Sequence, residues 1–178
     1  MCGRFALTDC QEKIIYTFGL DNSKVTLNPR YNIFPSEKIP VILKREKLLH
    51  LEFMKWGLIP KWSQTRTPFF NARVESIKEK PSFRKAINKR RCLIPANGFY
   101  EWTQEKSKKQ PYFICLKNNT LLAFAGIWED SISTGGEKIR TCAILTTAAN
   151  PFMLKINNRM PLILSKNNFY MWLNSSDI

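Results

Sequence analysis

Leu121-Leu122-Ala123-Phe124-Ala125-Gly126-Ile127-Trp128 and, beyond Gly135-Gly136, Arg140-Thr141-Cys142-Ala143-Ile144-Leu145-Thr146 form the stretch whose reading decides the fold class. Both runs are short, apolar and bounded by turn-forming residues, which predicts strands buried in a sheet. Working outward, Tyr112 to Leu116 predicts a strand that meets Leu121 to Trp128 through Asn118-Asn119 as a tight hairpin turn. Arg91 to Ile94 and Gly98 to Thr103 predict strands on either side of Pro95-Ala96-Asn97. Ile39 to Leu43 and Leu48 to Met54 predict a pair around the charged turn Lys44 to Lys47, and Leu162 to Leu164 a short strand.

Helix signals are fewer. Thr8-Asp9-Cys10-Gln11 reads as a capping box ahead of Ile14, Ile15 and Phe18 at helical spacing, with Gly19 as the stop. A helix is expected from near Pro81 toward Asn88, with proline in its first turn. Asn150-Pro151 is expected to open another, and Ser165 to cap a last one through Leu173. Pro60 to Pro68 reads as a loop. Repeats, linkers and low-complexity segments are missing from the sequence, so the expectation is one β-rich α+β domain over residues 1–178.

Composition narrows the function classes. The 178 residues favour a single sizeable core, and 44% hydrophobic content belongs to a folded chain. Mean hydropathy is −0.29, and no apolar run approaches the roughly 20 residues that span a bilayer. Met1-Cys2-Gly3-Arg4-Phe5 lacks the layout of a signal peptide, so a cytosolic protein without membrane contact is expected. Twenty-eight Lys and Arg against 14 Asp and Glu give a formal charge of +14. That excess favours a polyanion, since neutralised phosphates release counterions.

The five cysteines are odd in number, widely spaced and without a CxxC, which suggests neither a disulfide framework nor a zinc site. Cys92, Cys115 and Cys142 lie in apolar stretches and read as ordinary buried thiols. The single histidine, His50, sits in a strand-like run and reads as structural, which disfavours a Ser-His-Asp or Cys-His triad.

Cys2 is the group with unusual chemistry within reach. Methionine aminopeptidase removes Met1 when the next side chain is small, leaving an α-amine and a thiol on one exposed residue. With unperturbed pKa values of about 8 and 8.5, both have reactive fractions near neutral pH. An aldehyde then condenses with the amine to an imine, and the sulfur closes a thiazolidine. A packed small hydrophobe is the alternative reading of the same cysteine.

Arg4 adds a cation that would attract a phosphate and lower the thiol pKa. If Asn71 to Glu75 is extended, Asn71, Arg73 and Glu75 share one side, where Asn71 can bond a sugar or carbonyl and Arg73 a phosphate. Glu101, between the aromatics of Gly98-Phe99-Tyr100-Glu101-Trp102, is placed for proton transfer or for a structural ion pair. Trp56 reads as core, and loop-borne Trp62 beside Lys61 as a base-stacking platform. Arg159 is a further candidate phosphate contact.

Taken together, these segments resemble the SOS response-associated peptidase family, the abasic-site processing proteins. The matching stretches are Met1-Cys2-Gly3-Arg4-Phe5, Arg30-Tyr31-Asn32 with Pro35, Trp56-Gly57-Leu58-Ile59-Pro60 and Asn71-Ala72-Arg73-Val74-Glu75. They continue through Arg91-Cys92-Leu93-Ile94-Pro95-Ala96, Gly98-Phe99-Tyr100-Glu101-Trp102, Ala123-Phe124-Ala125-Gly126-Ile127-Trp128 and Arg159-Met160-Pro161. The resemblance implies mixed sheets forming a pseudo-barrel with peripheral helices, and a basic groove for single-stranded DNA bearing abasic sites. It implies a catalytic set of Cys2, Asn71, Glu101 and the residue at 157. Arg4, Arg73 and Arg159 would then hold phosphates, Trp62 would stack on a base, and Pro35 and Thr146 would line the groove. It also implies a monomer, nucleoid-associated when bound to DNA, needing no metal or organic cofactor.

Two departures from the family pattern stand out. Asn157 replaces the usual histidine two residues before the arginine of Arg-Met-Pro, and asparagine cannot exchange a proton near neutral pH. The chain also stops soon after Trp172-Leu173, where the family generally continues, so reduced fold stability is expected. Two other functions fit parts of the pattern. One is a Cys2-dependent peptidase or autoproteolytic N-terminal hydrolase with the terminal amine as base. The other is a non-catalytic single-stranded-DNA binder, in keeping with Asn157.

Overall fold

The β-rich expectation is met by eleven strands among the described residues of a computed structural model, which covers residues 2–21, 25–63, 67–103, 110–133 and 135–174. The strands are β1 (Phe5–Leu7), β2 (Arg30–Ile33), β3 (Lys38–Arg45), β4 (Leu48–Trp56), β5 (Asn71–Arg73), β6 (Arg91–Ala96), β7 (Gly98–Trp102), β8 (Pro111–Cys115), β9 (Leu122–Ile132), β10 (Lys138–Ala148) and β11 (Arg159–Pro161). Three short helices accompany them: α1 (Gln11–Phe18), α2 (Pro81–Lys89) and α3 (Phe169–Leu173).

Five strands close a ring in the order β10-β4-β3-β6-β9 and back to β10. The β3–β4 hairpin runs in register from Lys38 opposite Lys55 to Arg45 opposite Leu48, so its turn is only Glu46-Lys47, with Glu46 left-handed at φ 54°. β9 and β10 pair antiparallel from Ile132–Lys138 to Gly126–Ile144. The ring is shut by a parallel join, Thr141 beside Lys55 and Cys142 beside Trp56. Closure satisfies strand edges that an open sheet would leave bare. β5 pairs parallel with the far half of β10, and β11 antiparallel with its last residues. This arrangement is the mixed, barrel-like α+β fold expected.

A second sheet, β2-β1-β7-β8, lies beside the ring. Pro95 and Ala96 continue β6 rather than forming a turn, and Asn97 is the single residue between β6 in one sheet and β7 in the other. Its Oδ1 accepts the backbone N–H groups of Thr8 (2.7 Å) and Asp9 (3.1 Å), and its own N–H donates to Ala6. The capping box is therefore not formed: Cys10 is the N-cap of α1, without a side-chain cap. Gly19 does end the helix, at φ 63°, and Pro81 does open α2.

Other expectations need revision. Asn118-Asn119 is not a hairpin turn, because β8 pairs with β7 while β9 pairs with β6 and β10; the pair bridges two sheets. Asn150 opens only a 3-10 turn, Met153–Lys155, whose first N–H its side chain accepts at 2.9 Å. The short strand falls at Arg159–Pro161, with Ile163 making one further bridge to Phe124. After Ser165 the chain makes a 3-10 turn before α3, and Ser165 offers no side-chain cap. Cys115 is exposed on β8, not buried, whereas Cys92 and Cys142 are buried as expected.

The core fills the ring and the space toward the second sheet. Phe5 packs on Trp56 (5.4 Å between centroids) and edge-on to Phe124 (5.9 Å). A second apolar cluster, with Leu58, Phe83, Ile127 and Leu145, lies under α2. No helix among the described residues is long and apolar enough to cross a membrane.

Candidate functional site

The anchoring of Phe5 draws the start of the chain onto the end of the ring where β10 finishes. Cys2 is fully buried there, not exposed as expected, because this N-terminal segment joins the main core cluster. Desolvation by burial, followed by the nearby negative charge of Glu101, pushes its thiol pKa up to about 12. Arg4 does not oppose this through its charge as anticipated. Its guanidinium donates to Asn32 Oδ1 at 3.0 Å and lies 5.9 Å from the centre of the Phe34 ring, while only its carbonyl oxygen approaches Cys2 Sγ, at 4.0 Å.

Two of the expected polar partners meet this residue, and a third stands behind one of them. Asn71, the first residue of β5, is fixed by the parallel pairing of β5 with Ile144 to Thr146, and its Nδ2 donates to the Cys2 carbonyl oxygen at 3.0 Å. Glu101 is buried on β7 and acts on Cys2 electrostatically. Asn157 Nδ2 donates to Glu101 Oε2 at 3.0 Å. The backbone N–H of Arg159 donates to Asn157 Oδ1 at 3.1 Å, which fixes which way the amide faces. Cys2, Asn71, Glu101 and Asn157 thus form one cluster assembled from four separate segments.

Arg159 is arranged differently from a phosphate contact waiting for its ligand. Its guanidinium grips Glu75 with two parallel hydrogen bonds, 2.7 and 3.0 Å, and also donates to the carbonyl (2.7 Å) and hydroxyl (3.2 Å) oxygens of Thr146. Thr146 is fully buried, so it braces Arg159 and does not line an open groove. Glu75 does not continue the strand: β5 stops at Arg73, and Glu75 lies in a 3-10 turn, Val74–Ser76. Its hydrogen bonds from Arg159 hold its carboxyl pKa down to about 2.

Arg73 is exposed and Pro35 half-buried, and Trp62 is exposed in the turn after Pro60. Trp56 is wholly buried, its indole donating to the Phe70 carbonyl at 2.8 Å. His50 lies opposite Leu43 in the β3–β4 ladder, toward the hairpin turn and away from the cluster. Sequence reasoning missed Asn32 as the partner of Arg4 and Glu75 as the partner of Arg159. The first was signalled by its place in Arg30-Tyr31-Asn32; the second pairing spans 84 positions and leaves no local trace.

The sequence model described as SOS response associated peptidase matches residues 1–178. The chain belongs to the SOS response-associated peptidase family. Within the family it is similar to the abasic site processing protein YoaM of Bacillus subtilis, at 42% identity over 98% of this chain and 79% of that protein. It is also similar to the abasic site processing protein YedK of Escherichia coli, at 32% identity over 97% of this chain and 79% of that one. A crystal structure of a Bacteroides thetaiotaomicron protein superposes with a TM-score of 0.89 at 31% identity, covering 98% of this chain and 82% of that one. The amide of Asn157 bonds a buried carboxylate, that of Glu101.

Proposed function

We propose that this protein processes abasic sites by capturing them covalently on Cys2 in single-stranded DNA. The observation that carries the reading is the placement of Asn71 and Glu101 against the second residue of the chain, with Asn157 bonded to Glu101 behind it. Relatives named abasic site processing proteins support the substrate.

Hydrolysis of the Met1–Cys2 bond generates the α-amine and removes the residue ahead of the thiol. The amine attacks the aldehyde carbon of the ring-opened deoxyribose, giving a carbinolamine that loses water to form an imine. Sulfur then bonds to that same carbon as its proton leaves, and the imine nitrogen takes up a proton. The balance is aldehyde plus aminothiol giving thiazolidine plus one water, without oxidant, metal or organic cofactor.

Asn71 holds the Cys2 carbonyl and so aims both nucleophiles. Glu101, kept buried, is the group placed to move protons at the carbinolamine and the imine. Asn157 orients that carboxylate through its amide but carries no titrating proton, so imine formation or reversal is slower than with a histidine. Exposed Arg73, with Arg4, supplies phosphate contacts, and Trp62 a face on which a neighbouring base stacks. The adduct shields the lesion from strand breakage, placing the protein in the DNA damage response as a monomer at the nucleoid.

The test is a denaturing gel of processed protein with an oligonucleotide carrying one abasic site, alongside intact mass. An adduct heavier than the sum of its parts less one water contradicts the chemistry. No adduct from protein verified to lack Met1 removes the proposal, and equal binding of damaged and undamaged DNA identifies a simple single-strand binder. Cys2-dependent cleavage of added peptides would point to the peptidase alternative.

A further inference from the structure

We infer that the end of the ring opposite Cys2 carries a second contact for the phosphates of a nucleic-acid strand. This extends the single-stranded-DNA reading above and rests on it for the choice of polyanion.

β10 sets the two ends apart. Asn71, which meets Cys2, pairs beside Ile144, whereas Arg140 lies about 13 Å back along the same strand. At that far end a cavity of about 340 Å³ opens between the tip of the β3–β4 hairpin, the end of α2 and the end of α3. Lys44, Arg45, Lys89, Arg91 and Arg140 line it, together with Trp128.

Positive charge outweighs negative at this mouth. Glu52 accepts hydrogen bonds from both Arg45 and Arg140, so one carboxylate serves two guanidinium groups. Asp130 accepts a further bond from Arg140 at 3.2 Å. Lys44 donates to the neutral amide oxygen of Asn174, which leaves its charge in place, and Lys89 is exposed. The adjoining Arg90–Glu129 pair, at 2.6 Å, cancels itself. Arg140 is held with its guanidinium 5.3 Å from the centre of the Trp128 ring, yet its side chain stays 37% exposed. A cation fixed against an indole and still reachable loses little freedom on meeting a phosphate.

The length of the surface selects a strand over a compact anion. A second cavity, of about 500 Å³, shares Arg140 with the first and adds Lys61 and Lys138. Lys61 is the neighbour of Trp62, to which the proposed function gives base stacking. Cations thus run from the loop after Pro60, past Arg140, to the hairpin tip, an elongated array suited to successive phosphates. A compact anion would need only one of the two cavities.

A salt series of binding to undamaged single-stranded oligonucleotides, one of about six and one of about 20 nucleotides, tests the inference. The variant combines Lys89→Gln with Lys138→Gln, one exposed lysine from each cavity. The control removes equal charge elsewhere, through Lys13→Gln with Lys117→Gln on α1 and after β8. With the long oligonucleotide, the slope of log K against log salt falls by about 1–1.5 in the variant, since each single-strand phosphate contact contributes about 0.7. The control keeps the wild-type slope, and the variant keeps the short-oligonucleotide slope and the rate of adduct formation. An unchanged long-oligonucleotide slope overturns the inference, as does an equal fall in the control, which would mark general surface charge. Binding of inorganic triphosphate that the variant loses, with slopes independent of oligonucleotide length, would assign the mouth to free phosphate compounds and overturn the strand. The slopes are measured without an abasic site, so wild-type protein that forms no adduct sinks the capture reading alone.

Discussion

Cys2 and the pair Cys92 and Cys142 are the same side chain in equally dry surroundings, yet the molecule encloses them in different ways. Cys92 and Cys142 lie on β6 and β10, strands of the closed ring; a Cβ on Gly126 would approach Cys92 Sγ to 2.8 Å, and Cys142 Sγ sits 3.7 Å from the Lys55 carbonyl. Burial raises the pKa of both, and for Cys92 the neighbouring Cys142 adds to it. Cys2 is enclosed at the margin, next to a residue that processing can remove, and its neighbours include Asn71 and Glu101. The lesson is that burial by itself does not separate a structural thiol from a reactive one. What differs here is position and company: Cys92 and Cys142 lie on strands of the ring, whereas Cys2 lies ahead of β1 with Asn71 and Glu101 beside it.

The largest effect expected is an asymmetry between Cys2→Ala and Cys142→Ala. The first eliminates the adduct with abasic DNA. The second keeps it and lowers stability by about 1–2 kcal/mol, read from a denaturant melt. Loss of adduct in a folded Cys142→Ala protein would break the distinction. Next, Glu101→Gln slows single-turnover crosslinking by roughly 10²–10⁴-fold, because the proton carrier beside the nucleophile is gone; an unaltered rate would reduce Glu101 to an electrostatic neighbour.

Alkylation sharpens the contrast between the thiols. With a pKa of about 12, Cys2 in Met1-bearing protein is ionised to only about one part in 10⁵ at pH 7. Removing Met1 should speed its reaction with iodoacetamide at least about tenfold, while Cys92 and Cys142 stay slow in both forms by peptide mapping. Asn157→His should quicken adduct formation or reversal by about tenfold and introduce a pH dependence near neutrality, which the wild-type amide cannot supply.

The smallest effect concerns Glu75. Its folded pKa of about 2 lies below the ordinary 4.5, so it adds stability above pH about 4.5 that disappears as pH falls toward 2. Because the carboxylate is half exposed, Glu75→Gln should lower Tm by only about 1–3 °C at pH 7, and by nothing measurable near pH 2. A pH-independent difference would mean that packing, not charge, accounts for it.

Much of this was legible in the residues. The apolar runs of β9 and β10, proline at the start of α2 and glycine after α1 each carry a local physical signature, and each formed as read. The closed ring has no such signature, since the β4–β10 join links segments far apart in sequence and depends on their mutual packing. Asn118-Asn119 shows why turn chemistry misleads: it reports that the chain reverses, not which sheet receives it. At the site, Asn71, Glu101 and Asn157 were recognisable by type and family pattern. The burial of Cys2 and the capture of Arg159 by Glu75 were not, because both are products of tertiary folding.

The parallel join has a consequence for biosynthesis. Asn71 sits on β5, whose strand partner is β10, so the hydrogen bond that docks the Cys2 carbonyl must wait until residues 144–146 have been made. Elongation at roughly 5–20 residues per second leaves the nascent N-terminus undocked for several seconds. The proposed excision of Met1 would fall within that interval, before Cys2 is buried.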